Sequence, residues 1–142
     1  LLLCRRRYRR QGLLLLMGLA ASWLASNVCL KPLVARPRPC WLDTGVALLV
    51  KNPTDFSFPS GHTLAAVVSA TLLTITNRRF GWIAIPLAVG VAFSRLYLYV
   101  HFPTDVLASV LLGLVIAYTV QRLGARAIAW GNRRLFGGRL PL

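Results

Sequence analysis

Long apolar runs separated by short polar segments fill most of the sequence. A helix needs about 20 mainly apolar residues to cross a bilayer. By that measure the pattern predicts an all-α, integral-membrane helical bundle with four transmembrane helices. The predicted helices cover residues 12–30, 61–76, 80–100 and 103–121, of which the second is short.

Small residues recur along these helices, for example at Gly18, Ala70, Gly90 and Gly113. Helices in lipid pack closely where small residues meet, so the four segments are expected to form a single transmembrane domain. The opening residues "LLLC" resemble the end of a helix that begins before residue 1. We therefore expect residues 1–142 to be an N-terminally truncated part of a larger protein.

Composition distinguishes a nucleic-acid-binding domain from a membrane protein with basic loops, both of which can carry a large positive charge. The 17 Lys and Arg residues outnumber three acidic residues, for a net charge of +14. In a soluble domain this excess would favour nucleic-acid binding. Here 56% of the residues are hydrophobic, the mean hydropathy is +0.62, and the charges cluster between apolar runs, as they do in loops beside a bilayer. The pattern therefore predicts a lipid bilayer as partner and no nucleic acid, and it leaves the oligomeric state open.

Arginine clusters indicate the orientation of the predicted bundle. They precede the first helix, join the second to the third, and follow the fourth. The members are Arg5, Arg6, Arg7, Arg9, Arg10, Arg78, Arg79, Arg122, Arg126, Arg133, Arg134 and Arg139. With four spans all three clusters lie on one side, which the positive-inside rule makes cytoplasmic. We therefore expect a multi-pass protein of the cell (plasma or inner) membrane.

The opposite side of this predicted bundle holds the residues that can carry chemistry. Both histidines, His62 and His101, fall there, and so do all three acids, Asp43, Asp55 and Asp105. A site built from these residues would face the outside of the cell or the periplasm.

A phosphate group suits the residues on this side. A Ser-Gly-His run at residues 60–62 begins the second predicted helix, and the free amides of a helix start bind anions. Lys31 and Arg38, seven residues apart, follow the first helix, and Arg95 lies near the end of the third. Arginine binds phosphoryl oxygens bidentately and lysine adds a point charge. The sequence therefore predicts a phosphate-binding site.

The second histidine lies beside an acid. His101 is in the turn before the fourth predicted helix, whose first turn carries Pro103 and Asp105; proline suits the first position of a helix. One histidine could attack phosphorus while the other protonates the leaving alkoxide. The aspartate would hydrogen-bond the attacking imidazole and fix its tautomer. The spacing does not say which histidine takes which role.

These residues resemble the three-part signature of the type 2 phosphatidic acid phosphatase superfamily. Its parts are Lys, six residues and Arg-Pro; then Pro-Ser-Gly-His; then Ser-Arg, five residues, His, three residues and Asp. All three occur in order, as Lys31 to Pro39, Pro59 to His62 and Ser94 to Asp105.

The resemblance implies roles for single residues. His101 would be the nucleophile that forms a phosphohistidine, Asp105 its orienting partner, and His62 the general acid. The residues implied to hold the phosphoryl oxygens are Lys31, Arg38, Ser60, Gly61 and Arg95. The resemblance also implies activity without a metal or other cofactor. Membrane enzymes of the family usually have six helices, of which four are expected here.

Other interpretations of the same residues stay open. His101 and Asp105 could be two ligands of a metal ion, although no third ligand has suitable spacing. His62 taken alone could cap a helix, and Ser60 is expected to be an N-cap in either case. Arg36 lies outside the signature and is expected to contact lipid headgroups or face water.

The loop between the first two parts of the signature contains Asp43, Lys51 and Asp55. We expect these three residues to be solvated. A loop of this length beside a site can also act as a lid.

Three functions from different classes follow. The leading hypothesis is a lipid phosphatase whose substrate is a lipid phosphate or a polyprenyl pyrophosphate, with undecaprenyl pyrophosphate as the first choice. A phosphotransferase on the same scaffold would pass the phosphoryl group to an acceptor other than water, and so would release no free phosphate. A catalytically inactive lipid-binding membrane protein is the third, and the intact His62, His101 and Asp105 argue against it.

Overall fold

The computed structural model of the protein describes residues 8–136, and within that range every regular element is a helix. The α-helices are α1 (Arg9–Trp23), α2 (Lys31–Val34), α3 (Pro39–Leu42), α4 (Gly61–Thr76), α5 (Arg78–Tyr97), α6 (Pro103–Thr119) and α7 (Ala125–Phe136). Two π-helical segments, Leu24–Leu30 and Val120–Gly124, join α1 to α2 and α6 to α7. The predicted all-α class is confirmed.

Three stretches of the described chain are long and apolar enough to cross a membrane, namely Arg9–Leu42, Arg78–Tyr97 and Pro103–Gly131. The remaining bundle helix, α4, is apolar but has only 16 residues. At about 1.5 Å per residue it is about 24 Å long, which is less than the hydrocarbon thickness of about 30 Å. The expectation that this helix is short is confirmed.

The fourth predicted helix extends further than its hydropathy indicates. We expected it to end near residue 121, where Gln121 and Arg122 interrupt the apolar run. Helical backbone instead continues through Gly124, which packs against Leu14 and Met17 of α1. The end of an apolar run shows where a helix leaves an apolar environment. It does not show where the helix ends, because the backbone stays helical as long as its hydrogen bonds continue. The helix therefore runs on into α7.

The bundle is centred on α4, which packs against α1, α5 and α6. Leu64 and Val68 have no exposed surface, and Leu72 is also buried. Val68 and Leu72 form a core cluster with Ala117 of α6. Because α4 is enclosed by its neighbours, its first residues are fixed relative to the ends of the other three helices.

Glycines allow two of these helices to approach α4 closely. A Cβ atom added at Gly18 of α1 would lie 2.8 Å from the Val68 Cγ1 atom. One added at Gly113 of α6 would lie 2.9 Å from the Val67 Cγ1 atom and 3.4 Å from the Leu64 carbonyl oxygen. Neither position has room for a side chain, as is typical of tightly packed membrane helices.

Successive long helices run in opposite directions, so the two ends of the bundle differ. The π-helical end of the first span, the start of α4, the end of α5 and the start of α6 lie together. The arginines that join α4 to α5 and follow α6 lie at the other end. Arg5, Arg6, Arg7 and Arg139 belong to the predicted clusters but lie outside the described residues.

Replacing Gly113 by alanine is expected to destabilise the bundle by about 1–3 kcal/mol, because the new methyl group overpacks the α4–α6 contact. The matched control is Gly90→Ala on α5, where an added Cβ meets nothing within 4 Å. Thermal unfolding of both variants in the same detergent tests this. Equal unfolding temperatures for the two variants would contradict the packing described.

Candidate active site

The side chain of Arg38 joins the first and third parts of the signature. It is 4% exposed and immediately precedes α3. Its Nη1 atom donates to the Val100 carbonyl oxygen at 2.8 Å and lies 3.3 Å from His101 Nε2. Its Nε atom donates to the Asp55 carbonyl oxygen at 2.7 Å. The guanidinium is thus fixed beside the imidazole by main-chain acceptors.

His101 lies in the turn between α5 and α6 and is 5% exposed. Its Nε2 atom faces Arg38, while its Nδ1 atom lies 3.4 Å from the Ser57 hydroxyl and 3.7 Å from Asp105 Oδ2. We expected the imidazole to donate a direct hydrogen bond to the aspartate. The distance to Asp105 is too long for one, because the Ser57 hydroxyl lies near both groups and donates to Asp105.

The sequence analysis did not single out Ser57. Its one local signal is a polar side chain between two phenylalanines, directly before the Pro-Ser-Gly-His run. That signal is weak, since Ser57 acts through a contact with a residue 48 positions away.

Burial, followed by the positive charge of Arg38, lowers the pKa of His101 to about 4. The carboxylate of Asp105 opposes both effects without reversing them. The imidazole is therefore neutral at pH 7, with a lone pair available on one nitrogen.

Asp105 has no exposed surface. The hydroxyl of Ser57 donates to its Oδ2 atom, the amide of Phe102 donates to the same atom at 3.0 Å, and Arg36 donates to Oδ1 at 2.6 Å. A buried carboxylate is stable only with such partners. The helix start predicted at Pro103 is confirmed, and it provides the amide.

The expectation that Arg36 contacts lipid headgroups or faces water is incomplete, because its side chain is 33% exposed but its guanidinium also pairs with a buried residue. Its Nη1 atom forms the ion pair with Asp105 and donates to the Thr104 hydroxyl at 2.7 Å. Its guanidinium also stacks over the Phe102 ring, 4.0 Å from the centroid. The reason is the buried charge of Asp105, which needs a cation close by.

Lys31 and Asp55 form a second ion pair that also includes Arg38. Lys31 is 8% exposed; it donates to Asn27 Oδ1 at 2.9 Å and pairs with the Asp55 carboxylate. Arg38 Nη2 donates to the other oxygen of that carboxylate at 2.8 Å. The expectation that Asp55 is solvated therefore holds only in part, because its side chain is 49% exposed but its carboxylate pairs with two buried cations. Asp43 and Lys51 are exposed, as predicted.

The Pro-Ser-Gly-His run begins α4 as predicted, with Ser60 at the N-cap and Gly61 as the first helical residue. The Ser60 hydroxyl does not cap a backbone amide; it lies 2.9 Å from the Thr63 hydroxyl. A Cβ atom at Gly61 would lie 3.3 Å from the Ser26 hydroxyl and 3.9 Å from Lys31 Nζ. The glycine thus leaves the helix start open to the cations.

A cavity of about 390 Å³ lies at this helix start. Its polar wall includes Lys31, Asp55, Gly61 and His62. Its apolar wall continues along the helices α1 and α4 with Leu19, Trp23 and Ala65. The cavity can therefore receive a molecule that is anionic at one end and apolar at the other.

His62 is exposed and faces this cavity, and the described residues give it no hydrogen-bond partner. Arg95 is close enough to His62 to act on the charge of its imidazole. The Arg95 guanidinium donates to the Ser94 hydroxyl at 3.2 and 3.1 Å and has no carboxylate partner within residues 8–136.

The structure thus brings most of the predicted site residues to one end of the bundle. Lys31, Arg38, His101 and Asp105 belong to one network of contacts. Gly61 and His62 share a cavity with Lys31. Ser60 is buried beside them, and Arg95 contributes through its charge rather than through a bond to the network.

Comparison with known proteins places this geometry in a family. Residues 11–128 match the PAP2 superfamily. An undecaprenyl-diphosphatase from Sulfolobus acidocaldarius is 38% identical over 119 residues, which are 83% of this chain and 57% of that protein. A decaprenylphosphoryl-5-phosphoribose phosphatase from Mycobacterium tuberculosis is 35% identical over 101 residues, covering 70% of this chain and 54% of that protein.

A solved structure has the same fold. The crystal structure of a transmembrane PAP2-type phosphatidylglycerolphosphate phosphatase from Bacillus subtilis superposes with a TM-score of 0.65 at 36% identity. The match covers 81% of this chain and 59% of that one. The chain is an all-helical membrane protein and belongs to the PAP2 superfamily. It spans little more than half the length of the relatives described here.

Replacing Arg36 by methionine is expected to lower the free energy of unfolding by about 1–3 kcal/mol, because the buried Asp105 carboxylate loses a donor. Arg36→Lys keeps the charge and should lose less. Thermal unfolding in detergent measures both.

The control is Arg79→Met, which removes the same charge from an exposed position at the other end of the bundle. A loss in Arg79→Met as large as that in Arg36→Met would show that the Asp105 contact is unimportant for stability.

Proposed function

We propose that the protein is a lipid phosphatase that hydrolyses a lipid phosphate or diphosphate through a phosphohistidine on His101. The observation that carries this proposal is the environment of the imidazole. Nε2 of this neutral, buried ring is 3.3 Å from the guanidinium of Arg38, and its Nδ1 faces Ser57 and Asp105. A nucleophilic nitrogen therefore lies beside a cation that can hold phosphoryl oxygens.

In the first step, the lone pair of His101 Nε2 forms a bond to phosphorus. Arg38 and Lys31 neutralise the phosphoryl oxygens, with the amides at the start of α4 as further donors. The P–O bond to the lipid breaks, and His62 gives its proton to the leaving oxygen. As the ring of His101 becomes positive, Asp105 and Ser57 stabilise the charge on the Nδ1 side.

In the second step, water attacks the phosphohistidine. His62, now neutral, accepts a proton from the water, the P–N bond breaks, and inorganic phosphate leaves. The released electron pair restores the neutral imidazole of His101. Each charge that develops in these two steps has a partner among the side chains at the site.

The relatives support a lipid substrate. Their names specify a polyprenyl diphosphate, a polyprenyl-linked phosphoribose and phosphatidylglycerolphosphate, all of which join a terminal phosphate to an apolar chain. The cavity at the start of α4 has a polar wall that suits a phosphate and an apolar wall that suits a lipid chain. We infer that this protein acts on the same class, with undecaprenyl pyrophosphate as the first substrate to test.

We further infer that the site faces the outside of the cell or the periplasm. The described arginines that join α4 to α5 and that follow α6 lie at the end of the bundle opposite the site. Positively charged loops favour the cytoplasmic side of the membrane. The site-bearing end is then the outer one, in the cell membrane.

The proposal predicts free phosphate from undecaprenyl pyrophosphate or phosphatidic acid, measured with the full-length protein in detergent and in the presence of EDTA. Release should fall to background in His101→Ala. In His62→Ala, kcat should fall by about 10²–10⁴-fold, because the leaving group loses its proton donor. Mass spectrometry of His62→Ala quenched in alkaline detergent, where the P–N bond is stable, should detect the phosphoryl group on His101 if water attack also slows.

A folded full-length protein that transfers the phosphoryl group to another acceptor without releasing phosphate would be a phosphotransferase. Neither release nor transfer would mean that the proposal is wrong and would favour a lipid-binding component.

The depressed pKa of His101 predicts the acid side of the pH profile. The nucleophile must be unprotonated, and its pKa of about 4 keeps it so while the pH falls through 6.5. We therefore expect the acid-side fall of kcat/KM, calculated per substrate dianion, to lie below about pH 5. A single fall near pH 6.5 would contradict the desolvated environment of this imidazole.

A further inference from the structure

The carboxylate of Asp55 forms ion pairs with Lys31 and Arg38, the two cations to which a substrate phosphate is proposed to bind. One of its oxygens pairs with Lys31 Nζ, and the other accepts a hydrogen bond from Arg38 Nη2 at 2.8 Å. Both cations are buried, whereas the Asp55 side chain is 49% exposed. The chain thus places a half-exposed anion of its own on two buried cations.

Neither cation needs this carboxylate to stay in place. Arg38 donates to the main-chain carbonyl oxygens of Val100 and Asp55 at 2.8 and 2.7 Å. Lys31 donates to Asn27 Oδ1 at 2.9 Å. Since these acceptors remain when the Asp55 carboxylate turns away, its ion pairs are not what positions the two side chains.

The carboxylate also faces the space from which a phosphate would arrive. Asp55 lines the cavity at the start of α4 together with Lys31, Gly61 and His62. It lies in the loop between α3 and α4, outside the membrane-spanning helices. Burial raises the pKa of its carboxyl, but Lys31 and Arg38 together outweigh that effect and lower the pKa below its ordinary value, so Asp55 is an anion at neutral pH.

We infer that Asp55 is a specificity-determining residue that competes with the substrate for Lys31 and Arg38. The carboxylate neutralises the two cations in the empty site, yields them to a phosphoryl group, and returns to them as inorganic phosphate leaves. This inference rests on the proposed function, because it takes Lys31 and Arg38 as ligands of the phosphoryl group.

Such a competitor favours phosphates of higher charge. A terminal phosphate carries about −1.5 to −2 charges at pH 7, whereas a phosphodiester carries a single negative charge. A singly charged phosphodiester is no better a partner for the two cations than the carboxylate already bound there. The headgroups of the surrounding bilayer are mostly phosphodiesters, so Asp55 would keep them out of the site while a terminal phosphate enters.

The test compares Asp55→Asn with the unmodified full-length protein in detergent. Inorganic phosphate, as a competitive inhibitor of lipid phosphate hydrolysis, should bind Asp55→Asn about tenfold or more tightly, because a like charge at the site is removed. Dimethyl phosphate, a soluble phosphodiester, should inhibit Asp55→Asn and leave the unmodified protein unaffected.

The matched control is Asp43→Asn. It removes the same charge from the same loop, at an exposed residue whose carboxylate, among residues 8–136, accepts a hydrogen bond from the Gly45 amide and from no other group. Its inhibition constants should equal those of the unmodified protein. An equal gain in phosphate affinity in both variants would show that the loss of any negative charge from this loop has the same effect, and it would overturn the inference.

The direction in which the affinity for inorganic phosphate changes in Asp55→Asn decides the role of Asp55. If inorganic phosphate binds Asp55→Asn equally well or more weakly while hydrolysis is retained, the carboxylate positions the cations and the inference is wrong. Asp55→Ala serves as a second variant. If neither variant folds, the carboxylate is required for the structure, which also overturns the inference.

The failure of this inference can be told from the failure of the proposed function. Protection of the protein by phosphate against thermal unfolding measures binding without turnover. An unmodified protein that neither hydrolyses lipid phosphates nor gains stability from phosphate would refute the proposed function itself. An unmodified protein that does both, with no difference in Asp55→Asn, would refute only the role of Asp55.

Discussion

A carboxylate without exposed surface must find its hydrogen-bond donors inside the protein, and Asp105 finds them in three separate segments. Arg36 reaches it from the segment after α2, Ser57 from the segment before α4, and the amide of Phe102 from the start of its own helix. One buried acceptor therefore holds three segments in a single mutual arrangement. The imidazole of His101 lies where these segments meet, so its orientation depends on the donors that Asp105 requires.

Local chemistry made part of this site predictable from the sequence. A proline at the first helical position and a serine at an N-cap identify the starts of α6 and α4 from neighbouring residues alone. The contacts of Arg36 and Ser57 were not predictable in that way, because their partners lie 69 and 48 residues away. A single sequence carries no signal for a contact between residues so far apart. The signature therefore pointed to residues that the structure brings together and missed Arg36 and Ser57, which support them.

Two departures from prediction share a physical cause. An acidic residue in a polar loop is normally solvated, yet Asp55 pairs with two cations because Lys31 and Arg38 are buried and need a counter-charge. Likewise, the polar residues after α6 predicted a helix end, yet packing of Gly124 against α1 keeps the chain helical. In both cases a tertiary neighbour outweighs the local preference of the sequence.

The loop between α3 and α4 is closed at its neck, where Trp41 Nε1 donates to the Pro53 carbonyl oxygen at 3.0 Å and to Asn52 Oδ1 at 3.2 Å. Residues 43–51 extend beyond this closure and are mostly exposed, while Ser57 is tied to the Arg36 carbonyl oxygen at 2.9 Å. Insertions or deletions in residues 43–51 would therefore not move the imidazole. The exposed surface of this loop can diverge through such changes while the arrangement of the buried residues beneath it stays the same.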